Sequence, residues 1–275
     1  MNIVWFNEQT IPDIVGRKGH HLSRMSQAGL PVPAGFCVTS AGLENPGTQE
    51  LERALSNLRA GAFAVRSSAV AEDGAAASFA GIYPTLLNVI TPEGVRDALR
   101  EIRQSTWAPD STAYSRRRNV AEYPRLAAVV QTFVKADAAG VLFMRDPIDG
   151  SRRIIVEGAW GLGEAVVGGL IKPDRWILSP EGHVISSNIA DKDIAVVPNE
   201  SGGTKQTKVE PTRRRRPCLR IESLQELVHL ALECERLFGS AQDIEWAITL
   251  DRLWLLQSRP ITVCCRDAAR SRDSG

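Results

Sequence analysis

Charge of one sign is what the sequence most lacks: 33 lysines and arginines stand against 32 aspartates and glutamates, a net charge of +1. No global field draws the chain to nucleic acid or to a membrane surface. Long hydrophobic runs are also missing. None approaches the ~20 residues needed to span a bilayer. The start, Met-Asn-Ile-Val-Trp-Phe-Asn-Glu, has neither the basic opening nor the apolar core of a secretory signal. Cysteine is scarce and badly spaced for a metal. The five are Cys37, Cys218, Cys234, Cys264 and Cys265, an odd number, and the last two are adjacent. That spacing argues against a zinc cage and suits free thiols in a reducing cytoplasm. No Gly-x-x-x-x-Gly-Lys occurs, so a P-loop fold is not expected. No internal repeat is present. The short arginine runs at 116–118 and 213–216 read as solvated loops rather than a nucleic-acid footprint.

What is there is an ordinary globular composition, 24% charged and 43% apolar, over 275 residues. That length suits one large domain or two intimate subdomains. Residues 16–29 read as a helix with Leu22 and Met25 on one side, ended by Gly29 and followed by Pro31 and Pro33. Further helices are expected at 49–58, at 93–103 behind the cap Thr91-Pro92, from Gly163 onward, and at 222–238 before Gly239. Strands are expected at 63–65, 127–134, 140–143 and 153–156, with a hairpin around Pro180-Glu181-Gly182 and two closing strands at 244–248 and 253–257. The polar stretch 198–217 reads as a loop or connector, and the last ten residues as a frayed tail. This mixture, with several antiparallel pairs, predicts α+β rather than a doubly wound sheet.

Five clusters could carry chemistry. In the closing hairpin, pairing about Asp251 places Glu245 opposite Gln257, with Arg259 two residues on and on the same face. A carboxylate, an amide oxygen and a guanidinium then share one surface. Hard cations such as Mg²⁺ take oxygen ligands, and arginine matches phosphate bidentately. An edge hairpin with three solvated polar residues is the other reading. The strand Ala64-Val65-Arg66-Ser67-Ser68-Ala69 delivers an arginine and hydroxyls to its end, which suits an anion, unless a serine merely caps the next turn. Ser78-Phe79-Ala80-Gly81, then Thr85 and Asn88, permits close backbone approach to phosphate or is a plain turn. Gly161-Leu162-Gly163-Glu164 is a helix start or a tight connection. In Gly16-Arg17-Lys18-Gly19, Lys18 is a point charge for phosphate or an exposed lysine.

Together these pieces resemble one family. Gly16-Arg17-Lys18-Gly19 with Ala28-Gly29-Leu30-Pro31-Val32-Pro33-Ala34-Gly35-Phe36 is similar to the opening of phosphoenolpyruvate synthases. Ala64-Val65-Arg66-Ser67-Ser68-Ala69 with Glu72-Asp73, then Ser78-Phe79-Ala80-Gly81, is similar to the family's next block. Gly140-Val141-Leu142-Phe143, Asp146-Pro147, Trp160-Gly161-Leu162-Gly163-Glu164 and Lys172-Pro173-Asp174-Arg175 follow in order. Gln242-Asp243-Ile244-Glu245-Trp246-Ala247 and Leu256-Gln257-Ser258-Arg259-Pro260-Ile261-Thr262 close the match. It runs from about residue 13 to 262 and resembles the N-terminal nucleotide-binding domain of the phosphoenolpyruvate synthase and pyruvate phosphate dikinase family. Three departures stand out. Arg17 replaces a usual glycine, Ile82-Tyr83-Pro84-Thr85 lacks the usual acid, and the stretch between Thr39 and Phe63 is short.

The resemblance implies a cytoplasmic ATP-dependent phosphotransferase with an ATP-grasp fold. ATP and Mg²⁺ would lie between subdomains 1–125 and 126–262, followed by a polar tail at 263–275. Lys18, Arg66 and Arg259 would contact phosphates and act catalytically. Ser67, Gly81 and Thr85 would help bind nucleotide, and Glu245 and Gln257 would hold the metal. In multidomain relatives ATP phosphorylates a histidine on a swivelling domain. Here the sequence ends soon after Thr262, and His20, His21, His183 and His229 all lie inside the nucleotide-binding region. The expectation is a standalone form acting on a histidine of a separate partner. A compact kinase of a small molecule and a non-enzymatic nucleotide sensor are the alternatives.

Overall fold

The computed structural model describes residues 2–44, 48–69, 84–105, 126–146 and 149–261. Two antiparallel sheets organise the chain. The first contains β1 (Ile3–Trp5), β2 (Gly35–Val38), β3 (Phe63–Ala69), β4 (Thr85–Val89) and β5 (Leu126–Thr132), in the order β1-β2-β5-β3-β4. The second contains β6 (Ala138–Phe143), β7 (Ile154–Trp160), β8 (Asp174–Leu178), β9 (Val184–Asn188), β12 (Gln242–Thr249) and β13 (Arg252–Pro260), in the order β13-β12-β6-β7-β8-β9. A separate ribbon pairs β10 (Ile194–Pro198) with β11 (Thr204–Lys208). The helices are α1 (Pro12–Gln27), α2 (Ser40–Glu44), α3 (Thr48–Leu58), α4 (Pro92–Ser105), α5 (Glu164–Val167), α6 (Pro211–Arg214) and α7 (Ile221–Phe238). The architecture is the expected α+β one.

Strand alternation decides which face of the first sheet meets which helix. Phe36, Val38, Phe63, Val65, Ala128 and Val130 bury one face against Leu51 and Leu55 of α3 and Leu99 of α4. Cys37 and Val129 face the other way, onto Val15, Leu22 and Met25 of α1. That cluster continues into the second sheet through Leu142, Val156, Trp246 and Leu255, and is closed by Leu224, Leu227 and Ala231 of α7. So α1 lies between the sheets and shares a core with both. Helix signals read from the sequence hold locally. Thr91 Oγ1 accepts from Gly94 N at 3.0 Å at the start of α4, and Gly239 takes the left-handed φ of 73° that stops α7.

Three expectations change. β5 begins at Leu126 but lies inside the first sheet, so the chain passes to the second sheet between Thr132 and Ala138 rather than at residue 125. The helix from Gly163 is a single turn, α5. The polar stretch 198–217 contains β11 and α6. β11 is exposed along most of its length, so no apolar alternation marks it, and Gly202 and Gly203 supply the positive φ of the hairpin tip. Three of the four arginines beyond it are engaged. Arg213 stacks on Trp160 at 4.2 Å, and Arg214 and Arg215 pair with Asp191.

Cys37, Cys218 and Cys234 are free and buried. Burial pushes all three thiols up, that of Cys234 to about 12. Among the described residues no helix is long and apolar enough to cross a membrane.

Candidate active site

The closing hairpin sets the first side of the site. Its turn is Leu250-Asp251, both with positive φ (47° and 62°), which pairs Thr249 with Arg252 and Trp246 with Leu255. A bulge follows, leaving Leu256 without a directly opposed residue, and Glu245 then pairs with Gln257 and Asp243 with Arg259. The turn lies half a residue earlier than symmetry about Asp251 requires. The bulge restores the pairing.

β3 supplies the second side. Its alternate residues Ala64, Arg66 and Ser68 share one face, about 7 Å apart in turn, and each does something different. Ala64 lines the cavity described below. Arg66, only 7% exposed, donates from Nη1 to Glu245 Oε2 at 3.0 Å and to Gln257 Oε1 at 3.4 Å. Ser68 Oγ donates to Val15 O at 2.7 Å and accepts from Gly19 N at 3.0 Å. Ser68 thus clamps both ends of the turn that carries Arg17 and Lys18.

That clamp explains the glycines of the first motif. Gly16 breaks the helical path of α1 with φ 70° and ψ 170°. A Cβ there would sit 2.1 Å from Ser68 O, and one on Gly19 would sit 2.5 Å from Cys37 Sγ. Lys18 is half-buried in this turn. One helical turn further on, on the same side of α1, His21 Nδ1 donates to Ser258 O at 2.8 Å, between Gln257 and Arg259. α1 is therefore fixed to the strand that carries both.

Of the other expected site residues, Thr85 pairs with Arg66 across β3–β4 and lines the same cavity. Arg259 Nε donates to Asp243 Oδ2 at 2.7 Å, two pairs beyond Glu245 and Gln257 and so on the same face. Ser67 is not brought in. Alternation turns it to the opposite face, fully buried, with Oγ lacking a hydrogen-bond partner. Gly81 lies outside the described residues.

Beside Arg66 and Glu245 opens a cavity of about 290 Å³. Its walls are largely apolar. Phe133, Val134 and Ala136 come from the link between the sheets, Leu256 from the bulge, and Leu162 and Val167 from around α5. Of these, only Leu162 belongs to a cluster singled out in the sequence, Gly161-Leu162-Gly163-Glu164. Phe133 and Val134 read as the end of one expected strand, although that strand and 140–143 belong to different sheets.

Among the described residues no group of three His, Cys, Asp or Glu side chains could hold a metal alone. Glu245 and Gln257 nevertheless aim hard oxygens at one cationic nitrogen of Arg66, and Arg66 Nε is buried without a partner. Two protein oxygens with room for ligand oxygens suit Mg²⁺, which keeps waters and phosphates in its shell. The residues present fit the ion.

A two-sheet α+β protein with an apolar slot ending in an arginine, a carboxylate and an amide oxygen offers the groups that a nucleotide and its phosphates need. The chain belongs to the pyruvate phosphate dikinase AMP/ATP-binding domain family, which it matches over residues 47–274. It is 36% identical to the prodigiosin synthesizing transferase PigC of Serratia marcescens, over 91% of this chain and 32% of that one. It is 32% identical to rifampicin phosphotransferase of Bacillus subtilis (93% and 35%). It is 31% identical to a probable phosphoenolpyruvate synthase of Methanocaldococcus jannaschii (94% and 26%). The chain spans about a third of the length of these relatives. Among solved structures, PH1788 of Pyrococcus horikoshii is similar with a TM-score of 0.47 at 11% identity, over 89% of each chain. An ATP-complexed D-alanine–D-alanine ligase of Bacillus anthracis gives 0.41 at 10%, over 89% of this chain and 55% of that one.

Proposed function

We propose that the chain binds Mg·ATP in this cleft and passes a phosphoryl group to a histidine carried elsewhere. The observation that carries the reading is the convergence of Arg66, Glu245 and Gln257 at the mouth of an apolar cavity. The cavity suits the base, with Phe133, Val134 and Leu256 excluding water around it. The phosphates would then follow β3 toward Ser68 and the Lys18 turn. Glu245 and Gln257 would hold magnesium, which supplies charge neutralisation on phosphate oxygens when bound. Arg66 and Arg259 are planar donors suited to bidentate phosphate contact, and Lys18 is a compact point charge. Phosphoryl transfer depends on positioning and charge compensation, which is what these residues offer.

The acceptor is the second half of the reading. None of the four histidines lines the cavity. His20 Nδ1 is joined to Thr10 and His21 to Ser258, while His183 and His229 are exposed elsewhere. A phosphorylatable histidine must then come from another polypeptide or another domain. The test is ATP labelled at the β or γ phosphate, incubated with this protein alone and with proteins encoded beside it. Label on a partner's histidine, with AMP formed, supports the reading. Label on a small molecule with this protein alone, with ADP formed, overturns the acceptor. No heat on titration with millimolar Mg·ATP overturns the site.

A further inference from the structure

We propose that Asn88 is a positioning residue that latches the β10–β11 ribbon across the cleft, and that this latch sets how fast nucleotide leaves. Asn88 belongs to β4, near a shift of register between Phe63 and Val65 of β3. It is 5% exposed and has a φ of 56°, rare for a residue other than glycine. Backbone held in a sparsely populated region persists only where its surroundings fix it. Here the surroundings are the tip of the ribbon. Asn88 Nδ2 donates to Asn199 O at 2.7 Å and to Gly203 O at 2.8 Å, and Gly203 N donates back to Asn88 O at 3.0 Å. Both amide hydrogens and the main-chain carbonyl are therefore given to one hairpin tip.

The middle of β10 is held on the other lobe. Leu162 N donates to Val196 O at 2.8 Å, and Gly161 forms an isolated parallel bridge with Val196. The tip is thus pinned to the first sheet and the middle of β10 to the segment leading from β7 into α5. At that second pin Val196 packs in one apolar cluster with Leu87, Leu162 and Ala136, and these last three line the cavity. The ribbon backs the wall of the pocket. Because β11 is exposed over most of its length, the tip depends on what Asn88 gives it. Asn88 does not itself line the cavity, although its neighbour Leu87 does, so its effect on nucleotide would act through the ribbon and the wall it backs.

The second half of the proposal rests on the Mg·ATP reading of the cleft, and the first half does not. Two variants separate them. Asn88→Asp keeps the shape but removes both donors and sets a carboxylate against two carbonyl oxygens. Gly203→Ala leaves Asn88 intact; its Cβ meets open space, but the φ of 69° strains the tip alone. Gln206→Ala, on the exposed outer strand, is the control. Hydrogen exchange of residues 194–208 is measured without nucleotide, and release of a fluorescent ATP analogue with Mg²⁺ by stopped flow. The expected result is ribbon exchange at least tenfold faster in both variants, with β12 and β13 unchanged, and release at least fivefold faster. Unchanged ribbon exchange in either folded variant overturns the latch. A loosened ribbon with release within twofold of wild type overturns its role in nucleotide exit. If the wild type does not bind the analogue, the cleft reading and the exit role fall together, and hydrogen exchange alone decides the latch. Should Asn88→Asp fail to fold, Gly203→Ala carries the test.

Discussion

Arg66 Nη1 lies 3.0 Å from Glu245 Oε2, so the two sheets meet at one ion pair in the floor of the cleft. Glu245 keeps 27% of its side chain exposed while Arg66 keeps 8%. The acid therefore faces the open side of the cleft, and the guanidinium is held below it.

Removing either group should stop the chemistry before it disturbs the fold. Arg66→Ala and Glu245→Ala are each expected to lower ATP turnover at least 100-fold, a loss of roughly 2.7 kcal/mol of transition-state stabilisation. Circular dichroism should stay that of the wild type. Arg66→Lys should recover little, because an ammonium cannot offer phosphate oxygens the planar bidentate fork of a guanidinium. Turnover within tenfold of wild type in either alanine variant would remove that residue from the site.

How much of this site was legible beforehand depends on where each residue lies. Glu245 and Gln257 were legible from hairpin arithmetic, yet through two offsetting half-steps. The turn is centred between Leu250 and Asp251, and the Leu256 bulge restores the pairing. Arg66 was legible as a charge at the end of a buried strand. Ser67, expected to help bind nucleotide, is turned by strand alternation to the face opposite Arg66. The walls of the cavity were not legible. Phe133, Val134 and Leu256 carry no chemistry, and only the meeting of two sheets gives them a common surface. The ribbon was hidden for the opposite reason: Thr204–Lys208 is polar because it is exposed on both faces.

The Lys18 turn depends on glycine at position 16. A Cβ would lie 2.1 Å from a main-chain oxygen of a buried strand, at φ 70°. Neither partner can yield cheaply. Gly16→Ala is expected to cost about 2–4 kcal/mol, the range of overpacking with backbone strain added, and to weaken Mg·ATP binding as Lys18 moves. Urea unfolding and calorimetry read the two effects. Stability within 0.5 kcal/mol of wild type would show that the clamp is looser than these contacts require.

Behind the second sheet, Asp174 and Lys192 form a fully buried ion pair at 2.5 Å. Asp174 also accepts from Ala190 N and Cys218 N, both at 2.9 Å. Its carboxylate therefore serves three donors, and Lys192 Nζ serves the carboxylate and Ala190 O. Removing one partner of such a pair leaves a buried charge uncompensated, at about 3–5 kcal/mol. Asp174→Ala should be the worse variant, since it strips two backbone amides as well. Lys192→Met should fall toward the lower end of that range. Equal losses in urea titrations would show that the backbone bonds add nothing.

The hairpin turn offers the converse, a place where the protein is less stable than it could be. Leu250 is 91% exposed and buries almost nothing, yet its φ of 47° places a branched side chain in the left-handed region. That conformation costs an ordinary residue roughly 1–2 kcal/mol, and two-residue turns with both φ positive favour asparagine first. Leu250 N also donates to Asp137 Oδ2 at 2.9 Å, which any non-proline residue preserves. Leu250→Asn should therefore stabilise the protein by about 0.5–1 kcal/mol, read as a rise in Tm of a few degrees. The register of Glu245 and Gln257 should be unchanged, so nucleotide affinity should match wild type. A fall in Tm would mean that Leu250 makes a contact in solution that its exposure here does not reveal. A gain in Tm with lost affinity would mean that the turn, and not the Leu256 bulge, sets the pairing of Glu245 and Gln257.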